Sequence, residues 1–218
     1  MKKTFYKIIK IGLANLIIIV LFFVILEGGA SLYFAYQGVR QEIKKEPFLA
    51  ERLHTEYDPL LGWVNRPNIS IDHMYGPNVY LKTNGQRFRN KTDFTTKVPN
   101  GKIRVICSGD SFTLGYGVDN ANTWCNLLEL IDPRIQSVNM GQGGYGVGQA
   151  YLWYKRDGAQ LDHSMHIFSF ITEDFKRMMK KSLFGVPKPL IRVRNDEIVV
   201  KNTPISRLSF HKIHEKYL

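Results

Sequence analysis

The chain has 218 residues, of which 44% are hydrophobic and 22% are charged. This length suits one domain of ordinary size plus a short extension, and the apolar fraction excludes wholesale disorder. The formal net charge of +11 fits a basic surface beside an anionic membrane or envelope polymer. The lysines and arginines are scattered and carry no recognition motif, so we expect no nucleic-acid partner.

The first forty residues have the pattern of a membrane anchor. Lys2, Lys3 and Lys7 precede an uncharged run at 11–26. At 1.5 Å per residue, the segment 8–34 is long enough for a hydrocarbon core of about 30 Å, which predicts a transmembrane helix. A cleaved signal peptide is the alternative, although its apolar region is typically about 7–15 residues long. The lysines keep the N-terminus in the cytoplasm, which predicts an extracytoplasmic soluble part, in the periplasm or at the cell surface.

The segment after the anchor predicts a linker followed by a small β-rich unit. Residues 41–53 predict a short polar helix or linker that is broken at Pro47. Residues 57–90 are rich in turn formers and short apolar alternations, and Asn84-Gly85 is a hairpin signal. We predict that this lead-in packs on the main domain.

From Lys102 onward the hydrophobic pattern changes to that of an α/β domain. Short continuous apolar runs predict buried parallel strands, and apolar residues at helical spacing predict helices between them. The predicted order is strand 103–107, helix 122–131, strand 137–140, helix 146–161 and strand 165–172. This order is typical of a doubly wound sheet, in which ligands bind outside the carboxyl ends of the strands. Residues 188–206 predict a hairpin that turns at Asn195-Asp196.

The two cysteines, Cys107 and Cys125, form no disulfide framework and do not have the spacing of a zinc site. Cys107 lies in a predicted strand and Cys125 in a predicted amphipathic helix. We predict two buried free thiols, with a single bridge as the alternative.

The loops after the three predicted strands meet at one edge of the sheet. The order Gly109-Asp110-Ser111 follows the first buried strand, and the sequence NMGQGG at 139–144 follows the second. Together these blocks resemble the SGNH/GDSL hydrolase superfamily. The resemblance covers about residues 57–206. It extends to a membrane-anchored bacterial subgroup that shares the lead-in DPLLGW…TNGQRFR.

The resemblance implies a fold, an activity and a set of roles. The fold is a flavodoxin-like three-layer α/β sandwich with a short parallel sheet. The activity is that of an esterase, deacetylase or acyltransferase, a hydrolase class that acts on ester bonds such as those of acylated envelope glycans, without a metal or cofactor. Ser111 is then the nucleophile, and its own N–H and that of Gly144 are oxyanion donors. By the same resemblance, Gly109 permits the turn, Asp110 holds it, and Asp174 is the companion aspartate of the third block.

One position departs from the family pattern inside the third block. The family offers an asparagine side chain there as a third oxyanion donor, whereas this chain has Glu173. An ionised carboxylate donates no hydrogen bond, and loss of one such donor typically costs a factor of about 10²–10³ in rate.

The second departure concerns the general base. The family supplies it from an Asp-x-x-His block near the C-terminus, and no such block follows Ser111 in this chain. His163 and His166 belong to the opposite end of the predicted sheet. His211 and His214 lie in the right direction along the chain but have no aspartate nearby in sequence. Without a positioned base, a serine is a weak nucleophile.

These departures leave alternatives open. In one alternative, the chain is a catalytically inactive, membrane-tethered module that binds polysaccharide or a partner enzyme. In another, it is a truncated fragment. A sheet of strand order 2-1-3 is incomplete and leaves its third strand as an open edge, which a partner or the chain's own tail is expected to cover. The glycines at 141–146 also satisfy G-x-G-x-x-G, a dinucleotide-binding pattern, although the first loop has no role in it. We therefore divide the chain into an anchor (1–40), a linker with lead-in (41–100) and a hydrolase-like domain (101–218).

Overall fold

The structure is a computed structural model that describes residues 2–44, 54–183 and 185–205. The chain divides into two compact units, Met1–Glu46 and Pro47–Leu218. The predictions for residues 45–53 and 207–218 lie outside the described residues.

The first unit contains one helix, α1, over Lys2–Lys44. Its section Lys10–Gln37 is 28 residues long, and the apolar side chains along this section are exposed. At 1.5 Å per residue the section extends about 42 Å, which exceeds a hydrocarbon core of about 30 Å. Among the described residues this is the one helix that is long and apolar enough to cross a membrane.

The second unit begins with the β-rich lead-in, as predicted. Strands β1 (Thr55–Asp58) and β2 (Gly62–Asn65) form an antiparallel hairpin, and β3 (Ser70–Ile71) pairs with β4 (Leu81–Lys82). The lead-in shares its core with the main domain, because Trp63 of β2 packs in one cluster with buried residues of the central sheet.

The predicted hairpin at Asn84-Gly85 is wrong, because no described strand pair flanks these residues. The Oδ1 atom of Asn84 accepts hydrogen bonds from the N–H groups of Gln86 (3.0 Å) and Phe88 (2.9 Å). The asparagine side chain therefore folds the backbone into a compact loop. Arg87 takes the left-handed conformation there, with φ of 72°.

The main domain is built on a three-stranded parallel sheet. Strand β5 (Ile103–Gly109) lies between β6 (Ile135–Gly141) and β7 (Met165–Phe168). The helices of this region are α2 (Ser111–Leu114), α3 (Trp124–Ile131), α4 (Val147–Arg156) and α5 (Thr172–Met178). The predicted β-α-β-α-β order and the 2-1-3 strand order are confirmed. Of the described strands, none pairs with the outer edge of β7.

Alternate side chains of β5 pack on opposite faces of the sheet. Val105 packs in a cluster with Leu128 of α3. Ile106 packs in the other cluster with Trp153 of α4 and Trp63 of the lead-in. Helices therefore cover both faces of the sheet, and the central strand β5 is buried on both of its faces.

The prediction of free thiols is wrong, because Cys107 and Cys125 form a disulfide with their Cα atoms 6.2 Å apart. Cys107 points to the α3 face of β5. Thr123 caps α3 by accepting a hydrogen bond from the N–H of Asn126, so that Cys125 lies in the first turn facing the strand. The bridge depends on the alignment of α3 with β5, which the pattern within either element does not determine.

The described chain ends with short antiparallel pairs. Strand β8 (Ser182–Leu183) pairs with β9 (Val186–Pro187), and β10 (Leu190–Arg194) pairs with β11 (Glu197–Lys201). Asn195 and Asp196 have φ of 51° and 61°, so the predicted turn of the second hairpin is confirmed.

Candidate active site

The strand β5 ends in a tight turn that presents Ser111 at the first position of α2. Asp110 is the N-cap of this helix, and its Oδ1 accepts a hydrogen bond from the N–H of Phe112 at 2.9 Å. A Cβ atom at Gly109 would overlap the Thr113 side chain and the Ser169 carbonyl. The turn can therefore form only where position 109 has no side chain.

Ser111 keeps both its hydroxyl and its N–H available. Its carbonyl accepts hydrogen bonds from the N–H groups of Gly115 (3.0 Å) and Tyr116 (2.9 Å). Its hydroxyl and its own N–H bond to none of the described residues, and the side chain is half-buried. A nucleophile and one oxyanion donor would need this combination.

The loop after β6 isolates the N–H of Gly144 in the same way. Within the described residues, every other backbone N–H of this loop donates to an acceptor in the protein. The pairs are Gly141 to Asn139 Oδ1, Gln142 to Gly109 O, Gly143 to Gln142 Oε1, Tyr145 to Gln142 O and Gly146 to Gln149 Oε1. Gly144 itself has φ of 76°, which favours glycine. A single available N–H suits an oxyanion better than a pyrophosphate, which several backbone N–H groups normally cradle.

The first two loops are in direct contact. The N–H of Gln142 donates to the carbonyl of Gly109 at 3.2 Å. A Cβ atom at Gly141 would overlap the backbone of Thr113 and Leu114. The end of β6 therefore packs so closely against α2 that position 141 has no room for a side chain.

The lead-in fixes the second loop from the other side. The indole N–H of Trp63 donates to the carbonyl of Gly143 at 2.9 Å. The side-chain amide of Gln142 donates to Asn65 Oδ1 at 2.8 Å. Trp63 and Asn65 are site residues that the sequence motifs did not predict. Their signal was the run GWVN, in which both residues lie in one buried strand.

The third block lies in the first turn of α5. Asp174 Oδ2 accepts a hydrogen bond from the N–H of Ile171 at 3.0 Å, which caps the helix. The carboxylate of Glu173 pairs with Lys176 Nζ at 3.2 Å along the exposed side of the helix. Glu173 therefore places its carboxylate on the exposed side of α5, next to the buried Asp174.

Arg177 is a further residue of this site that the sequence motifs did not predict. Its Nη1 lies 2.8 Å from Asp174 Oδ1, 3.3 Å from the carbonyl of Tyr145 and 3.5 Å from Asp110 Oδ2. Burial raises the pKa of Asp174, with a smaller contribution from the nearby Asp110 carboxylate, while the hydrogen bond from the Ile171 N–H and the guanidinium of Arg177 oppose it. The signal in the sequence was a basic residue three positions after a buried aspartate on one helix.

The histidines of the described part lie elsewhere. His166 belongs to β7, where its Nε2 lies 2.5 Å from Ser108 Oγ and its ring stacks on Tyr154 at 3.7 Å. Burial lowers the pKa of His166, and the neighbouring His163 adds to this effect. Neither ring bonds to Ser111, and His211 and His214 lie outside the described residues. Within the described ranges, no group of three or more acidic, histidine or cysteine side chains converges to hold a metal ion.

Comparison with protein-family models and with curated proteins gave no match for this chain.

Proposed function

We propose that this chain is a membrane-tethered serine ester hydrolase or acyltransferase of the SGNH/GDSL type, acting on acylated envelope glycans or similar esters. The turn at Ser111 carries the proposal. It ends the central strand with a serine hydroxyl that no described residue binds. In the adjoining loop, the N–H of Gly144 is the one that no described acceptor takes up.

The chemistry of such a site follows from these groups. Ser111 Oγ attacks the ester carbonyl carbon and loses its proton to a general base. The oxyanion that forms accepts hydrogen bonds from the N–H groups of Ser111 and Gly144. The C–O bond to the alcohol then breaks, the base returns the proton to the departing oxygen, and the acyl group stays on Ser111. Water completes a hydrolysis, and a second alcohol completes an acyl transfer.

The proposal needs a base that the described residues do not supply. His54, His73, His163 and His166 are the described histidines, and none bonds to Ser111. We therefore assign the base to His211 or His214 of this chain, so that the isolated chain reacts without a partner. Substituting each of these two histidines by alanine tests the assignment, because activity that is independent of both would exclude them as the base.

The helix α1 gives the proposed location. Its section Lys10–Gln37 serves as the anchor, and the lysines before it favour a cytoplasmic N-terminus. The disulfide between Cys107 and Cys125 supports an extracytoplasmic soluble part, because disulfides persist in oxidising compartments.

The experiment that tests the function is covalent labelling of the full chain in detergent with a fluorophosphonate probe. We expect labelling of the unmodified chain and its loss in Ser111→Ala. Ser182→Ala is the matched control, because Ser182 is exposed in β8 and takes no part in the turn. Hydrolysis of p-nitrophenyl acetate is expected to follow the same pattern. A folded chain that stays unlabelled, or labelling that persists in Ser111→Ala, contradicts the proposal.

A second candidate function is supported by the ion pair of Glu173 with Lys176. A carboxylate at the third-block position opposes an oxyanion, which favours a catalytically inactive module that binds acylated polysaccharide or a partner enzyme. In that case, the chain immobilised on a surface binds acylated polysaccharide, and the unmodified and Ser111→Ala forms bind it with equal affinity. Neither form reacts with the fluorophosphonate probe.

A further inference from the structure

We infer that Arg177 is a positioning residue, which holds the nucleophile turn, the oxyanion loop and the third block in one arrangement. Its consequence for activity rests on the proposed function, whereas its consequence for the order of the loops does not. No residue of the SGNH/GDSL pattern stated above occupies this role.

The contacts of one nitrogen atom join α5 to two separate loops. Arg177 Nη1 bonds to Asp174 in the third block, to the Tyr145 carbonyl in the second loop and to Asp110 in the first. Asp110 precedes Ser111, and Tyr145 follows Gly144. A shift of the guanidinium therefore acts on the residues next to the nucleophile and next to the oxyanion donor.

The two buried carboxylates beside Arg177 require a cation between them. Asp110 and Asp174 are each only 2% exposed. Among the described residues, only Arg177 forms an ion pair with these two carboxylates, and it pairs with both. Its side chain is 19% exposed. Without it, two buried carboxylates would face each other unpaired, and such groups repel and move towards water or take up protons.

The packing of α5 shows why the second loop would follow. A Cβ atom at Gly146 would lie 2.8 Å from the Asp174 carbonyl, 2.8 Å from the Met178 N and 3.0 Å from the Arg177 Cβ. The loop and the helix are therefore in backbone contact. A displacement of Asp174 or Arg177 shifts the loop that presents Gly144.

The test uses Arg177→Met, which replaces the aliphatic part of the side chain and removes its charge, and Arg177→Lys, which keeps the charge. Arg192→Met is the matched control, because Arg192 is exposed on β10. Backbone hydrogen–deuterium exchange is measured on the full chain in detergent, with peptides that cover 109–117, 141–146 and 190–201. The rate and affinity of fluorophosphonate labelling are measured separately on the same samples.

We expect Arg177→Met to raise exchange about tenfold or more at 109–117 and 141–146, with no change at 190–201. Arg177→Lys should restore most of the protection, because an ammonium can neutralise the two carboxylates. The labelling rate at saturating probe should fall about tenfold, with little change in probe affinity. Unchanged exchange in either loop overturns the inference.

A double variant separates positioning from simple stability. Asp174→Asn keeps an oxygen that can cap α5 and removes one of the two buried charges. In the chain with both Asp174→Asn and Arg177→Met, we expect the melting temperature to recover while the exchange at 109–117 stays fast. Recovery of that exchange together with stability would assign Arg177 a purely structural role, against the inference.

The two proposals fail in different ways. If the unmodified chain does not react with the probe, the proposed function fails, and the exchange data still decide the role of Arg177. If the unmodified chain reacts and Arg177→Met reacts at the same rate with unchanged exchange, the inference fails and the proposed function stands.

Discussion

The indole N–H of Trp63 donates a hydrogen bond to the carbonyl of Gly143, across 80 positions of the sequence and at a distance of 2.9 Å. The hydroxyl of Tyr145 donates in return to the carbonyl of Trp63 at 2.5 Å, and the two rings meet edge to face with centroids 5.7 Å apart. The lead-in and the loop at 141–146 therefore fix each other. The lead-in is part of the candidate site as well as of the core.

Replacing Trp63 with phenylalanine should loosen this loop. The variant keeps most of the buried aromatic surface and leaves the Gly143 carbonyl without its donor. We expect a loss of about 1–3 kcal/mol in the free energy of unfolding and slower fluorophosphonate labelling. Trp124→Phe is the matched control, because Trp124 lies in α3 on the other face of the sheet. Equal labelling rates in both variants would contradict a role for Trp63 in the site.

The disulfide between Cys107 and Cys125 encloses the Ser111 turn within a separation of 18 residues. A bridge that closes a loop of this size typically adds about 3 kcal/mol of stability. We therefore expect a reductant to lower the urea midpoint of the unmodified chain and to leave that of the double Cys→Ser variant unchanged. Alkylation followed by mass spectrometry should find no reactive thiol in the oxidised, unfolded chain. Two alkylated thiols there would contradict the bridge.

Lys188 predicts a dependence of stability on pH. The residue is 1% exposed, no described residue accepts a hydrogen bond from its Nζ, and burial lowers its pKa to about 8 from the ordinary 10.5. The unfolded chain then binds more protons than the folded chain between about pH 8 and 10.5, so this lysine makes stability rise with pH across that window. Below it, the buried ammonium carries a constant cost.

The measurement compares urea unfolding of the unmodified chain and Lys188→Met over this pH range. We expect the variant to be more stable at neutral pH, and the difference to shrink as the pH rises above 8. Lys201→Met controls for loss of an exposed lysine on β11. A Lys188→Met variant that is less stable at neutral pH would show that the ammonium has a stabilising partner.

Glu173 offers a gain-of-function test of the proposed chemistry. Glu173→Asn places a side-chain N–H donor where the family pattern has one, in the first turn of α5. If the Gly144 and Ser111 N–H groups bind the oxyanion, the third donor should raise ester hydrolysis, by up to about a hundredfold. The measurement is hydrolysis of p-nitrophenyl acetate by the full chain in detergent.

The control for this substitution is Lys176→Met, which breaks the same ion pair and adds no donor. We expect its rate to stay close to that of the unmodified chain. A rate in Glu173→Asn that equals or falls below the rate in Lys176→Met would count against an oxyanion at this place.

The sequence by itself determined the order of the elements and the position of Ser111. Mainly apolar runs at 103–107 and 165–172, and helical spacing around Trp124, are local properties that do not depend on packing, although the strand in the second run ends at Phe168. The turn at Asn195-Asp196 was predictable for the same reason, since these residues tolerate positive φ. The hairpin signal at Asn84-Gly85 misled because the asparagine side chain, rather than a strand pair, satisfies the backbone there.

Only the tertiary structure decided which residues surround Ser111. The bond from Trp63 to Gly143, the bridge from Cys107 to Cys125 and the contacts of Arg177 join segments that lie far apart in the chain. Their formation depends on strand register and on which face of a helix meets the sheet. These are relations between elements, and a periodicity within one element carries no information about them.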